Sequence, residues 1–149
     1  FQPQGGRRWV IAYSSITRVD EEGRGVRTID KRPDGTWLQS PDEAGMAPDG
    51  SLAVISESLC LYGPTGEPLR TIPMPEGSKY ARVAFDGKRI ALVTQDAIFL
   101  GDREGGAWKR YPFPEKYNGF GAVWFSEDGQ RLEGVLFRSA KRLAFLLLD

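Results

Sequence analysis

The sequence predicts an all-β fold of antiparallel four-stranded repeats, and three observations carry that prediction. One pattern recurs three times in 149 residues: Met46-Ala47-Pro48-Asp49-Gly50 runs into Ser51-Leu52-Ala53-Val54-Ile55, Val83-Ala84-Phe85-Asp86-Gly87 into Lys88-Arg89-Ile90-Ala91-Leu92-Val93, and Val123-Trp124-Phe125-Ser126-Glu127-Asp128-Gly129 into Gln130-Arg131-Leu132-Glu133-Gly134-Val135-Leu136. Each reads as a strand, an Asp-Gly turn and a returning strand. The second observation is punctuation: 18 Gly and 10 Pro interrupt the chain too often for long helices. The third is that runs such as Val10-Ile11-Ala12-Tyr13 and Ile90-Ala91-Leu92-Val93 are continuously apolar, as strands covered on both faces must be.

Naming the strands of a repeat A to D, the elements follow in order. Trp9 to Tyr13 is a B strand, Ile16 to Val19 a C strand, and Val26 to Ile29 a D strand reached through the turn Asp20 to Gly23. The stretch 30–45 is irregular and contains Asp34-Gly35, which suits a small hairpin or a surface loop. The second repeat runs through its Asp-Gly turn to Leu59-Cys60-Leu61-Tyr62, the turn Gly63 to Gly66, and Glu67 to Ile72. The phrase Leu69-Arg70-Thr71-Ile72 matches Val26-Arg27-Thr28-Ile29 in register. The third continues with Ala97-Ile98-Phe99-Leu100, the turn Gly101 to Gly106, and Ala107 to Tyr111. The fourth ends with Leu143 to Leu148 as its C strand. Small polar pairs close the B–C turns: Ser14-Ser15, Glu57-Ser58, Gln95-Asp96 and Ser139-Ala140. One segment is ambiguous. Leu136, Phe137, Leu143, Ala144, Leu147 and Leu148 would share a helix face, and only the repeat register favours strands there.

The repeat units are therefore 9–29, 44–72, 80–111 and 120–148, within a single domain, 1–149. Asp49 to Asp86 is 37 residues and Asp86 to Asp128 is 42, the length of one four-stranded propeller blade. The first unit lacks its A strand and the last its D strand. The expected fold is an all-β partial or small β-propeller of about three and a half blades. A lone blade cannot bury both apolar faces, so neighbours must cover them. Closure has three solutions: two chains completing one ring, one chain closing a small four-bladed ring, or a piece of a longer chain. Ala144 to Leu148 is an apolar terminal strand that something must cover.

The residues Pro48-Asp49-Gly50-Ser51-Leu52-Ala53-Val54, followed by Thr65-Gly66-Glu67-Pro68-Leu69-Arg70-Thr71, resemble the β-propeller repeats of TolB-like and WD-repeat-like proteins. The copy Asp86-Gly87-Lys88-Arg89-Ile90-Ala91 is similar to them in the same way. The resemblance covers about Trp9 to Leu148; histidine and the Trp-Asp dipeptide are absent. It implies a protein that binds proteins, peptides or small ligands, with enzymes as a minority.

The totals narrow the chemistry. Lys plus Arg equals Asp plus Glu at 20 each, so the electrostatic excess behind non-specific nucleic-acid affinity is missing. Arg7-Arg8 and Lys141-Arg142 are the candidates for a local basic patch, and both read as solvated strand ends. With no His there is no Ser-His-Asp or Cys-His catalysis and no imidazole metal site. The single Cys60 permits no intramolecular disulfide and reads as a small buried hydrophobe. No cofactor and no metal are expected. Asp20-Glu21-Glu22 and Asp102-Arg103-Glu104 lack the ligand spacing of a calcium loop and read as solvated C–D turns. No apolar run is long enough for a membrane span. A chain beginning at Phe1 is compatible with a processed, extracytoplasmic form.

The primary expectation is a non-catalytic binding or scaffold module acting through loops at one rim. Its partner would be a second copy of the chain or another protein, with a small ligand as the alternative. B–C turns and D–A connections (Pro73 to Ser78, Pro112 to Gly119) fall on the same rim. The candidate binding residues are Trp37, an aromatic in the irregular stretch, Glu57 and Asp96 in B–C turns, and Lys116, Tyr117 and Asn118 in a D–A loop. Glu57 and Asp96 would also serve the second reading, a carboxylate-dependent hydrolase or lyase. A third reading is purely architectural, a segment of a larger propeller.

Overall fold

Asp-Gly turns recur because two local bonds favour them. In Ala47-Pro48-Asp49-Gly50-Ser51 the Gly50 N–H donates to Ala47 O (2.9 Å), and Asp49 Oδ1 accepts from the Ser51 N–H (2.9 Å). Gly50 sits at φ 92°, a left-handed conformation that costs a glycine little. Asp128-Gly129 repeats the arrangement, with the Gly129 N–H on Ser126 O and the Gln130 N–H on Asp128 Oδ1, both 2.9 Å. Asp86-Gly87 closes a shorter connection, in which Asp86 Oδ1 receives the N–H groups of Lys88 (2.9 Å) and Arg89 (2.6 Å). The side chain thus supplies an acceptor for backbone the turn leaves unpaired.

The computed structural model describes residues 8–147. Their strands are β1 (Arg8–Ile11), β2 (Ile16–Val19), β3 (Gly25–Ile29), β4 (Glu43–Met46), β5 (Leu52–Ser56), β6 (Ser58–Tyr62), β7 (Pro68–Ile72), β8 (Arg82–Phe85), β9 (Arg89–Val93), β10 (Ala97–Asp102), β11 (Lys109–Pro112), β12 (Phe120–Phe125), β13 (Arg131–Leu136) and β14 (Arg142–Leu146). They form four antiparallel meanders, ordered β1-β2-β3, β4-β5-β6-β7, β8-β9-β10-β11 and β12-β13-β14. The first and last sheets have three strands, as the missing A and D strands require. No helix occurs among the described residues, so the helical alternative for 136–148 is set aside; β13 and β14 pair there, Val135 opposite Arg142. The fold is that of a partial β-propeller.

The chain divides into two compact units, one ending at Met74 and the other beginning at Pro75, each built from two sheets. In the first unit, Ile16 and Ile29 of the β1-β2-β3 sheet pack with Leu52, Val54, Cys60 and Tyr62 of the β4–β7 sheet. Alternation along β5 and β6 puts these on one face, and Ala53, Leu59 and Leu61 on the other are buried too. The irregular stretch is a small hairpin with a bridge between Lys31 and Trp37. It is pinned by Leu38, which is buried in the same core, and by the Tyr62 hydroxyl donating to Lys31 O (2.7 Å).

In the second unit, Ala84, Ala91, Val93 and Ile98 of the β8–β11 sheet pack with Phe120 and Leu132 of the β12–β14 sheet. Phe113, Tyr117, Phe120 and Phe145 form an aromatic cluster here, with Phe113–Tyr117 centroids 5.0 Å apart and nearly perpendicular. Two arginines tie the sheets at opposite ends. The Arg82 Nε–H donates to Phe120 O (2.8 Å), and Arg89 donates from Nη2 to Gly129 O (2.7 Å) with its guanidinium 4.7 Å from the Phe125 centroid. Each fully buried leucine-sized side chain contributes roughly 1.5–3 kcal/mol, so these stacked faces are the main source of stability.

Three details depart from expectation. Trp108 lies just before β11 rather than within it, its ring over Gly101. The Arg142 guanidinium sits 5.6 Å from the Trp124 centroid, so this half of Lys141-Arg142 lies against a ring while Lys141 is exposed. The first B strand ends at Ile11 and the last C strand at Leu146. Arg7, the Arg8 side chain and Leu148 lie outside the described residues.

Candidate functional site

An antiparallel meander puts A–B and C–D turns at one end and B–C turns with D–A loops at the other. Backbone conformation divides the two ends. The A–B and C–D turns take their left-handed residues from glycine alone: Gly23, Gly50, Gly66, Gly87, Gly105 and Gly129. Among the described residues every non-glycine with positive φ is on the B–C or D–A side, alongside Gly77 and Gly119: Ser40 (41°), Glu57 (63°), Tyr80 (63°), Arg138 (73°) and Ala140 (55°). Such residues cost about 1–3 kcal/mol each and collect at binding and catalytic surfaces.

In the second unit this end is a knitted rim. The Phe113 N–H donates to Asp96 O (2.7 Å), the Tyr117 N–H to Gln95 O (2.8 Å) and the Phe137 N–H to Gly119 O (3.0 Å). These bonds lash the 113–119 loop to both neighbouring B–C turns. Two adjoining depressions result. One, of about 680 Å³, is lined by Glu115 to Asn118 and Leu136 to Ser139. The other, of about 380 Å³, lies between Lys79, Tyr80 and Arg82, the turn Thr94 to Asp96, and Lys116, Asn118 and Phe137. Lys116, Asn118 and Phe137 line both, so the two depressions adjoin along these residues and together form the groove of this rim.

Two of the groove's aromatics are exposed and its charges are unequal. Tyr80 is 85% and Phe137 58% exposed, far beyond what packing would leave. Lys79 Nζ lies 5.1 Å from the Tyr80 centroid, and the Arg138 guanidinium 5.9 Å from that of Phe137. Asp96 is already occupied: Thr94 Oγ1 donates to it (2.8 Å), and Arg110 stands 3.9 Å away. The Thr94 hydroxyl, with help from Arg110 and Lys116, holds the Asp96 carboxyl below its usual range. It is a charged, structured acceptor, not a proton donor at neutral pH.

The sequence candidates are distributed as follows. Asp96, Lys116, Tyr117 and Asn118 come together at this rim, although the Tyr117 ring belongs to the aromatic cluster beneath the groove. Trp37 and Glu57 belong to the first unit. Trp37 is 62% exposed with Lys31 Nζ 4.8 Å from its centroid, and Glu57 pairs with Arg32 at 3.0 Å. That pair joins the inserted hairpin to the β5–β6 turn. Glu57 and Asp96 are thus each tied to their own cations, in different units. Sequence reading missed Tyr80, Phe137 and Arg138. An aromatic or arginine in a connection without a neighbouring glycine was the available signal, and it is a weak one.

The acidic turns are accounted for locally. Asp20 receives the N–H groups of Glu22 (3.0 Å) and Arg24 (2.8 Å), and Asp102 that of Glu104 (2.9 Å). Among the described residues no group of three His, Cys, Asp or Glu is placed to hold a metal. Cys60 is buried, and burial pushes its thiol up to about 11. Among the described residues no helix is long and apolar enough to cross a membrane.

Comparison with solved structures gives the fold independently. The chain superimposes on hydrazine synthase of Kuenenia stuttgartiensis with a TM-score of 0.64 at 19% identity, covering 97% of this chain and 43% of that one. It matches U3-55K with a TM-score of 0.64 at 14% identity (99% of this chain, 50% of that one) and the WD40 repeats of RRP9 with 0.63 at 13% (97% and 48%). The chain spans about half the length of these structures. At such identities the likeness is one of fold: repeats of the WD40 and propeller type. No family model and no curated protein matches the sequence.

Proposed function

We propose that the chain is a non-catalytic binding module that captures another protein at the B–C and D–A rim, with the groove of the second unit as its principal contact. The observation that carries this reading is the concentration of non-glycine left-handed residues at that end, next to the exposed rings of Tyr80 and Phe137. WD40-type neighbours support a binding or scaffold role by analogy of fold. The hydrolase alternative is not favoured, since Glu57 and Asp96 are each engaged by a cation or a hydroxyl. Trp37 would provide a second, separate contact in the first unit. Replacing Tyr80 and Phe137 together by Ser should abolish recovery of a partner from lysate of the source cells, with urea unfolding unchanged. Undiminished recovery by the double variant refutes the assignment.

A scaffold role by self-association has its own support. On β12–β14, Ala122, Trp124, Val135, Ala144 and Leu146 share a face with Arg131, Glu133 and Arg142; Leu146 is 66% exposed, while Trp124 is half-buried under Arg142 and donates to Glu133 (2.8 Å). On β1–β3, Val10 and Val26 are exposed. Isolated blades do not leave such apolar positions exposed without cost. Sedimentation across a hundredfold concentration range tests it: a constant monomer mass removes this reading.

A further inference from the structure

We infer that the groove of the second unit takes an extended acidic segment of a partner protein, with carboxylates on both sides of one apolar side chain. This deepens the binding reading above and rests on it. The argument is charge complementarity. Lys79, Lys116 and Arg138 are exposed along the groove, one at each end and one shared by both depressions. Among the described residues none of the three forms an ion pair with a carboxylate. The opposing carboxylates are Glu115 and Asp96, and Asp96 is already satisfied by Thr94 and faced by Arg110. Lys116 also faces Asp96, so the groove presents an excess of positive charge, carried mainly by Lys79 and Arg138, in a chain whose overall charge is zero.

The apolar requirement comes from Phe137. Its ring borders both depressions and stays exposed although its N–H is fixed to Gly119 O. An exposed aromatic on a fixed backbone is a typical anchor for a partner's apolar side chain. Lys79 beside Tyr80 and Arg138 beside Phe137 give each end a cation next to a ring. A carboxylate can meet the cation while the adjacent methylenes lie on the ring. Exposed charges of this sort steer encounter and select the sign of the partner.

The test titrates the isotopically labelled chain with three synthetic nonapeptides and one oligothymidine, reading the amide resonances of Gly77, Asn118 and Gly119. The peptides are four Asp or Glu around a central Phe, the same with Ser for Phe, and four Lys around Phe. The expected result is saturable shifts with the acidic Phe peptide, weaker by about tenfold with its Ser analogue. A charge-reversed chain carrying Lys79→Glu, Lys116→Glu and Arg138→Glu should lose about tenfold for the acidic peptide and gain for the basic one. Lys116→Gln alone, a milder change, should lower affinity in the same direction if the triple variant fails to fold. Preference for the basic peptide or the oligothymidine overturns the acidic-segment inference while leaving a binding groove. No shift with any probe overturns both.

Discussion

Leu132 and Leu146 sit in one sheet, on opposite faces, and they should respond very differently to truncation. Leu132 is 1% exposed and packs in the second unit's core with Ala84, Ala91, Val93, Ile98 and Phe120, whereas Leu146 is 66% exposed. Removing a buried leucine side chain costs the lost transfer energy plus a cavity term, about 2–5 kcal/mol. Leu132→Ala should therefore cost about 3 kcal/mol, which for a chain of this length lowers Tm by roughly 10 °C. Leu146→Ala removes contacts with water and should cost no more than about 0.5 kcal/mol. Urea unfolding followed by tryptophan fluorescence reads both, and an unchanged m-value would show that only stability moved. Equal costs would refute the one-sided burial of this sheet. A mild effect at Leu132 would refute the stacking of two sheets that organises the unit.

The remaining predictions address the thiol, a close contact and the acidic turns. Cys60, buried with its thiol raised to about 11, should resist alkylation by iodoacetamide at pH 8 until denaturant opens the first unit; fast labelling of native protein, read by mass spectrometry, refutes this burial. A Cβ on Gly101 would lie 2.7 Å from Trp108 Cε3, so Gly101→Ala should displace the indole and cost about 1–2 kcal/mol, with a red-shifted emission; an unchanged spectrum argues against the packing. Hydroxyl donors on Thr36, Thr65, Thr94 and Ser126 hold Asp34, Glu67, Asp96 and Asp128 below their usual ranges. A depressed folded pKa adds stability above the unfolded value near 4 and loses it as pH falls through the folded value. The urea midpoint should thus hold from pH 7 to 5 and decline below about pH 4, less steeply in Asp128→Asn; a midpoint independent of acid refutes these bonds.

Much of the fold could be read from the chain because its determinants are local. An Asp whose carboxylate meets the N–H two residues on, followed by Gly, needs only five consecutive residues, and Asp49 and Asp128 behave alike for that reason. Strand pairing then follows from apolar runs of similar length. The inserted hairpin was half legible: Asp34-Gly35 marked its tip, but the buried Leu38 and the Tyr62 hydroxyl that fix it come from tertiary contacts. The groove was least legible. Lys116 and Asn118 stood out in a long loop, while Phe137 and Arg138 join them through the β12–β13 pairing, Phe120 opposite Leu136, and the bond from the Phe137 N–H to Gly119 O. Tyr117 misled, since an aromatic in a loop can belong either to a surface or to the core beneath it, and here the Phe113 and Phe120 rings claim it.

The two ends of the repeats solve the same turn problem in different ways, and that difference bears on function. At the A–B and C–D end the turns use glycine where a left-handed residue is needed, and side-chain carboxylates complete the bonding, so little strain remains. At the B–C and D–A end Tyr80 and Arg138 adopt the same region with large side chains, which glycine would relieve at once. Replacing either with glycine removes the side chain that faces the groove. If these side chains had no role, Tyr80→Gly should be stabilising and otherwise silent. If they hold a partner, Tyr80→Gly should stabilise the free chain while weakening capture. That opposed pair of outcomes, higher unfolding midpoint with lower affinity, distinguishes strain retained for binding from strain that the fold merely tolerates.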